Sequence, residues 1–158
     1  MGVWYVTVLS IVVALTCLVT PPTWAGAHSG HVMVTPADVQ WADAPALPPG
    51  AQFVVLEGAL SEAAPFIFRV KFPADYKVPA HWHPVMERIT VIAGTLHLGV
   101  GDTFDQANTK ALPAGSVSIM EPKTNHFAWT TEETIVQVHG VGPWGFTYVN
   151  PADDPRKK

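Results

Sequence analysis

Residues Pro79–Gly94 read PAHWHPVMERITVIAG, and the order His81-x-His83-x-x-x-Glu87, followed by six residues and Gly94, organises the reading of the whole chain. Residues two apart on a strand point to the same side, so His81 and His83 present two imidazoles to one point in space. Glu87 has the same parity, and although Pro84 bends the path, a carboxylate just beyond the bend can return to that centre. Downstream, PKTNH (Pro122–His126) places a further imidazole at the start of another candidate strand. Three imidazoles and one carboxylate, from His81, His83, His126 and Glu87, suit a divalent transition metal with coordination positions left over for water or substrate. An isolated His-x-His is a weak signal, because a single histidine is more often a satisfied surface residue. Four compatible groups on neighbouring strands are a much stronger one. Such donors accommodate Fe, Mn, Zn, Ni or Cu, so they leave the identity of the ion open.

Working outward, short β-patterned runs recur between turn signals, the signature of an all-β sandwich or barrel. The runs are Gln52–Glu57, Phe66–Phe72, Glu87–Ile92, Thr95–Val100, Ser116–Met120, His126–Thr130, Thr134–His139 and Gly145–Val149. In FIFRVKF, Phe66, Phe68, Val70 and Phe72 share one face while Ile67, Arg69 and Lys71 share the other, a period of two that marks a half-buried strand. Gly94 closes one strand, and Pro113-Ala114-Gly115 is a tight-turn sequence before the next. Of the chain's 15 prolines all but Pro21 and Pro22 lie in residues 28–158, leaving little room for helix there. Ahead of the barrel region (50–150), residues 28–49 are rich in Pro, Ala and Asp without lasting periodicity. They read as an extended arm with one short strand near Val32–Val34 and Trp41 pinning it to the body. Residues 151–158 read as a polar tail.

The run TIVQVHG supplies the remaining catalytic candidates. Gln137 and His139 share one face and Val136 and Val138 the other. Pointing inward, Gln137 can hydrogen-bond a metal-bound water and His139 can serve as an acid or base beside Glu87; facing solvent, they do neither. Trp82 points away from its histidine neighbours. His97 falls opposite Leu96 and Leu98, and Phe127 and Trp129 fall opposite His126, which assigns them to outer layers.

The chain of 158 residues is 48% hydrophobic and 14% charged, yet residues 1–27 contain no Asp, Glu, Lys, Arg or His. Val3–Val19 is apolar apart from Ser and Thr, Pro21 and Pro22 come next, and Ala25-Gly26-Ala27 is a small-x-small cleavage site. This predicts a signal peptide over 1–27 cut after Ala27 and a periplasmic or secreted product. The alternative is an uncleaved anchor, the one case in which a membrane becomes a partner. Cys17, the single cysteine, lies inside the leader, so a mature chain relies on packing rather than disulfides. Beyond the leader, the chain has the length of one domain. A net charge of −4, with no basic run except Arg156–Lys158, offers no footprint for a phosphate backbone and excludes nucleic acid as a partner.

The histidine stretch resembles the cupin superfamily. The first cupin motif, G-x5-H-x-H-x(3,4)-E-x6-G, is met at His81, His83, Glu87 and Gly94, with Asp75 in place of the leading glycine. The second, G-x5-P-x-G-x2-H-x3-N, is met more loosely by Gly115, Pro122 and His126, with Thr124 standing for its second glycine and Thr130 for its asparagine. The likeness covers residues 50–150 and implies a double-stranded β-helix (jelly-roll) barrel with the four ligands in its mouth, and pairing into a homodimer through outer strands. More narrowly, the chain is similar to small secreted single-domain cupins with a PAHWHP…E core and a QVHGVGP segment, relatives of the cupin module of a zinc-dependent anti-sigma factor. The resemblance implies one of two functions, because fold does not settle activity. One is an exported metal-dependent enzyme, a dioxygenase-like oxygenase or an isomerase/lyase, acting on a small organic molecule. The other is a non-catalytic periplasmic module that binds metal or ligand, or senses stress.

Overall fold

Alternation of large apolar and polar residues along short strands is what curls this chain into two facing sheets. The computed structural model describes residues 1, 2 and 31–158; the leader expected over 1–27 and its cleavage site lie outside the described residues. In β3 (Pro65–Phe72) the four residues Phe66, Phe68, Val70 and Phe72 are buried and the intervening three are half-buried, as their period of two predicts. The same alternation governs β5 (Glu87–Ala93) and β10 (Thr134–Val141). These three form the middle of a six-stranded sheet, completed on one side by β2 (Gln52–Glu57) and β1 (Ala42–Asp43) and on the other by β8 (Val117–Met120).

The second sheet runs β11 (Thr147–Tyr148), β4 (Lys77–Trp82), β9 (His126–Trp129), β6 (Thr95–Val100), β7 (Lys110–Pro113). Every pairing is antiparallel. From β3 onward the chain changes sheet at every connection except β6 to β7, which is the winding of a double-stranded β-helix, the all-β barrel expected. Inside, Val70, Phe72, Ile89, Val91, Leu96 and Val136 form the core with both sheets contributing. Each such side chain stabilises the fold by about 1.5–3 kcal/mol when fully buried.

Three local features differ from expectation. The strand near Val32–Val34 does not form: these side chains are exposed, and Pro36 lacks the N–H that a ladder needs. Instead Thr35 and Asp38 close a 3-10 turn (Pro36–Asp38), with the Thr35 hydroxyl donating to the Asp38 carboxylate at 2.6 Å, and the arm pairs with β2 later, at Ala42 and Asp43. Trp41 is held to the body under the ammonium of Lys71, 4.9 Å from its ring centroid. Two further strands, β4 and β7, add to the expected set. A bulge before His81 breaks the alternation of β4, leaving Ala80 and His81 both buried, and β7 is only four residues long, too short for a repeat to show. The tail folds into two 3-10 turns (Pro151–Asp153 and Pro155–Lys157), with Arg156 clasping the Asp154 carboxylate at 2.7 and 2.9 Å and the Phe146 carbonyl at 3.0 Å.

The motif departures have structural explanations. Asp75, where the cupin motif has glycine, sits at φ +57°, a left-handed conformation that Asp tolerates better than most residues. Thr130 grips that turn, donating its hydroxyl to the Pro73 carbonyl at 2.8 Å and accepting from the Tyr76 N–H at 3.3 Å. In the second motif the left-handed residue is Lys123 (φ +62°), so counting back from His126 it is Lys123, not Thr124, that takes the place of the glycine. Gly94 (φ +71°) admits no substitute, since a Cβ would lie 2.5 Å from the Glu133 carbonyl oxygen. Among the described residues no helix is long and apolar enough to cross a membrane.

Candidate metal centre

His81 owes its position to an irregularity in β4. The register passes from Val78 opposite Ala128 to His81 opposite His126, three steps on β4 against two on β9. This bulge changes the parity of the strand, so Val78 and His81, three apart, both face the barrel interior. His83 follows just beyond β4, Glu87 opens β5, and His126 opens β9. All four are at most 5% exposed.

Each imidazole is held by a backbone carbonyl: His81 Nδ1 by Pro79 at 2.8 Å, His83 Nδ1 by Gly145 at 2.7 Å, and His126 Nδ1 by Thr124 at 2.9 Å. A carbonyl only accepts, so each Nδ1 carries a proton and each Nε2 faces the shared centre. One nitrogen from each of the three histidines lies within 4.8 Å of the others. Glu87 Oε1 stands 3.4 Å from His83 Nε2, and its Oε2 stands 3.3 Å from His126 Nε2. Metal–ligand bonds of about 2.0–2.2 Å put neighbouring donors about 3–4 Å apart, the spacing of Glu87 from His83 and His126. His83 Nε2 and Glu87 Oε2 are buried without any hydrogen-bond partner. Buried polar atoms are rarely left so. The donor set therefore fits a metal ion, and the three imidazoles could hold one.

The electrostatics follow from burial and proximity. Burial, together with the neighbouring His126 and His83, drives the His81 pKa well below the usual imidazole value. Burial also lowers that of His83, against the pull of Glu87. For Glu87, burial alone would raise the pKa, but His83 and His126 outweigh it and hold the carboxyl below its ordinary range. For His126, burial would lower the pKa, but the Glu87 carboxylate more than compensates. Two rings are thus neutral and ready to ligate, while the third shares its charge with Glu87.

Two aromatic side chains brace the ligands. Phe146 stacks on His81 with centroids 4.1 Å apart and planes at 11°, and Trp144 stacks on His83 at 4.0 Å and 22°. Sequence reasoning did not single out Trp144. Nor did it find the Gly145 carbonyl, since a backbone group has no residue-type signature. The four ligand candidates open onto a cavity of about 430 Å³ whose walls include Phe68, Val70, Ile89, Leu98 and Val138.

Gln137 and His139 are not in it. Val136 and Val138 are buried toward the cavity, so strand parity turns Gln137 and His139 to the outer face, correcting their assignment as catalytic candidates. There Gln137 accepts from Arg69 Nε at 3.1 Å, and His139 pairs in register with Ile67 and Arg88. His97 stacks on Trp129 at 4.0 Å, outside the barrel, and Phe127 is buried under Phe104, both as the alternation predicted.

The family description "ChrR Cupin-like domain" matches residues 29–144, most of the chain and both ligand segments. The chain belongs to this cupin family. Among curated proteins no sequence relative matches. Solved structures with this fold include the polyketide cyclase RemF from Streptomyces resistomycificus, at 17% identity and TM-score 0.62, covering 81% of this chain and 92% of that one. An acetylacetone dioxygenase from Acinetobacter johnsonii matches at 18% identity and TM-score 0.58, covering 77% and 80%. The complex of Rhodobacter sphaeroides SigE with the anti-sigma ChrR contains a chain matching at 19% and 0.51, covering 66% of this cupin and 50% of that chain. At these identities the likeness is one of fold.

Proposed function

We propose that this cupin is an exported metal-dependent enzyme that oxygenates, isomerises or cleaves a small organic molecule. The observation that carries the reading is the continuity of the ligand cluster with the cavity: His81, His83, Glu87 and His126 all line its wall, so a bound molecule reaches the ion directly. A divalent ion held there supplies Lewis acidity or oxygen activation. The chain does the rest. Pro79, Gly145 and Thr124 fix the imidazole tautomers, Trp144 and Phe146 hold the rings in place, and Glu87 provides a carboxylate that can complete the ligand set or accept a substrate proton. The folds shared with a dioxygenase and a cyclase are compatible with such chemistry. Export rests on the charge-free leader.

One observation favours a second reading, a binding or sensing module akin to the anti-sigma cupin. Apart from the four ligand candidates, the polar side-chain groups lining the cavity among the described residues are those of Ser61, Arg156 and the indole of Trp144, and none is a natural general acid or base. The test is metal analysis of protein purified from its native compartment, followed by oxygen uptake and product analysis over a diverse substrate panel. The enzymatic reading predicts turnover that is abolished in Glu87→Ala. Metal-loaded protein that binds panel members without converting any overturns it in favour of the module.

A further inference from the structure

We propose, resting on the metal-centred reading above, that the site takes a molecule with an apolar, uncharged body and a compact oxygen-bearing head, the head at the histidine cluster and the body in the chamber beneath. The chamber continues from the cluster along the strands. Inward of Glu87 on β5 comes Ile89; inward of His126 on β9 comes Ala128; on β10 Val138 lies opposite Ile89, with Val136 one pair further. Each such step is about 7 Å of wall, so the chamber has depth for a chain or ring and not merely for a ligand's head.

No polar side chain interrupts this wall beyond the cluster among the described residues. Of the remaining polar lining residues, Ser61 and Arg156 are exposed to solvent and so belong to the rim, and the Trp144 indole lies at the cluster, stacked on His83. Arg156 stays at the rim, where its guanidinium is paired with the Asp154 carboxylate and donates to the Phe146 carbonyl, so it brings no counter-charge into the chamber. A carboxylate or phosphate carried into the chamber would be a buried charge without a counter-charge. A polyol would leave its hydroxyls unpaired. An ammonium would find only Glu87, which faces His83 and His126. An apolar body loses nothing there and gains the transfer of each methylene out of water. Sugars, nucleotides and other molecules whose body carries hydroxyls or charge therefore fit the chamber poorly on chemical grounds.

The test uses the purified chain in two forms. Loaded with Co²⁺, followed by its visible absorption, it is titrated with straight-chain alkyl hydroxamates of increasing length, their ω-carboxylate counterparts and a polyhydroxylated hydroxamate. Freed of metal, it is titrated calorimetrically with straight-chain primary alcohols. Affinity is expected to rise about fourfold per methylene in both methyl-ended series until the chamber is full. The ω-carboxylate and polyhydroxylated probes are expected to bind at least about 100-fold more weakly than methyl-ended ones of equal length. Val136→Phe, on the deep wall, moves the end of the rise to a shorter chain while leaving Co²⁺ affinity unchanged; Ala128→Val serves the same purpose if the first variant does not fold. A flat length dependence in Co²⁺-loaded protein, or equal binding of the ω-carboxylates, overturns this inference and leaves the metal reading standing. Length-dependent binding of the alcohols by a protein that takes up no Co²⁺ upholds the apolar chamber and overturns the metal reading.

Discussion

Two groups of polar side chains lie on opposite sides of the six-stranded sheet, and they differ in how completely they are satisfied. On the outer side Arg69, Gln137 and His139 are half-buried, with Arg69 donating to Gln137 at 3.1 Å and water free to serve the remaining atoms. On the inner side His81, His83, Glu87 and His126 are at most 5% exposed, the histidine Nδ1 protons satisfied and the remaining donor atoms converging on a point with two of them unpartnered. Both groups hold histidine and a hydrogen-bonding neighbour, so residue type does not separate them. The difference lies in desolvation: a buried polar atom without a partner is costly, and is expected only where something else satisfies it.

Substitution on the inner side should have the largest effect. His126→Ala or Glu87→Gln is expected to weaken metal binding by at least about 100-fold, since loss of partners outside the ligand shell already costs about 10–100-fold. Competition against a chelator of known affinity measures it, and retention of tight binding in either folded variant would break the distinction between the two groups.

Acidification of the metal-free protein comes next. Folded His81 and His83 refuse protons that their unfolded counterparts accept at the ordinary value of 6.5, so their contribution to stability is complete above that pH and is lost as pH falls below it. Glu87, held below 4.5, acts in the same sense at lower pH, whereas His126, raised above 6.5, contributes below that value and loses its contribution as pH rises through its folded pKa. The melting temperature of metal-free protein should therefore fall as pH is lowered from 6.5, with a shallower slope in His81→Asn. An identical slope in the variant removes His81 as a source of the pH dependence.

A smaller effect is proton release. Around pH 6.5 the metal-free cluster holds its proton on His126 beside Glu87, so metal uptake should expel about one proton, fading as pH rises past the raised pKa of His126. Calorimetry in buffers of different ionisation enthalpy reads this directly; no release at pH 6.5 contradicts a ligating His126. On the outer side, Gln137→Ala and His139→Ala should leave metal affinity within about twofold and stability within about 0.5 kcal/mol, as for most surface substitutions. A hundredfold loss in either would restore them to the site.

Much of this architecture was legible because its signals are local. The alternation in FIFRVKF and the turn residues at Gly94 and Gly115 act within a few residues, and β3, β5 and β10 form where they indicate. β4 was obscured because the bulge that aims His81 also spoils its period. The arm's strand was misplaced because two bridge-length segments compete and only pairing with Gln52 and Phe53 selects Ala42–Asp43. For β10 the pattern separated the two faces but the inward role given to Gln137 lost to the simpler demand that Val136 and Val138 be buried.

By itself, the sequence determined the family, the strand-rich barrel and the four candidate ligands, because spacing along a strand translates directly into shared direction and histidine and carboxylate chemistry is intrinsic to the residue. Only the tertiary structure decided the bond from His83 Nδ1 to the Gly145 carbonyl, the stacking of Trp144 and Phe146, and the apolar chamber below the cluster. Those arise between segments as distant as His83 and Gly145, and no local pattern encodes which backbone carbonyl will meet which ring once the two sheets close.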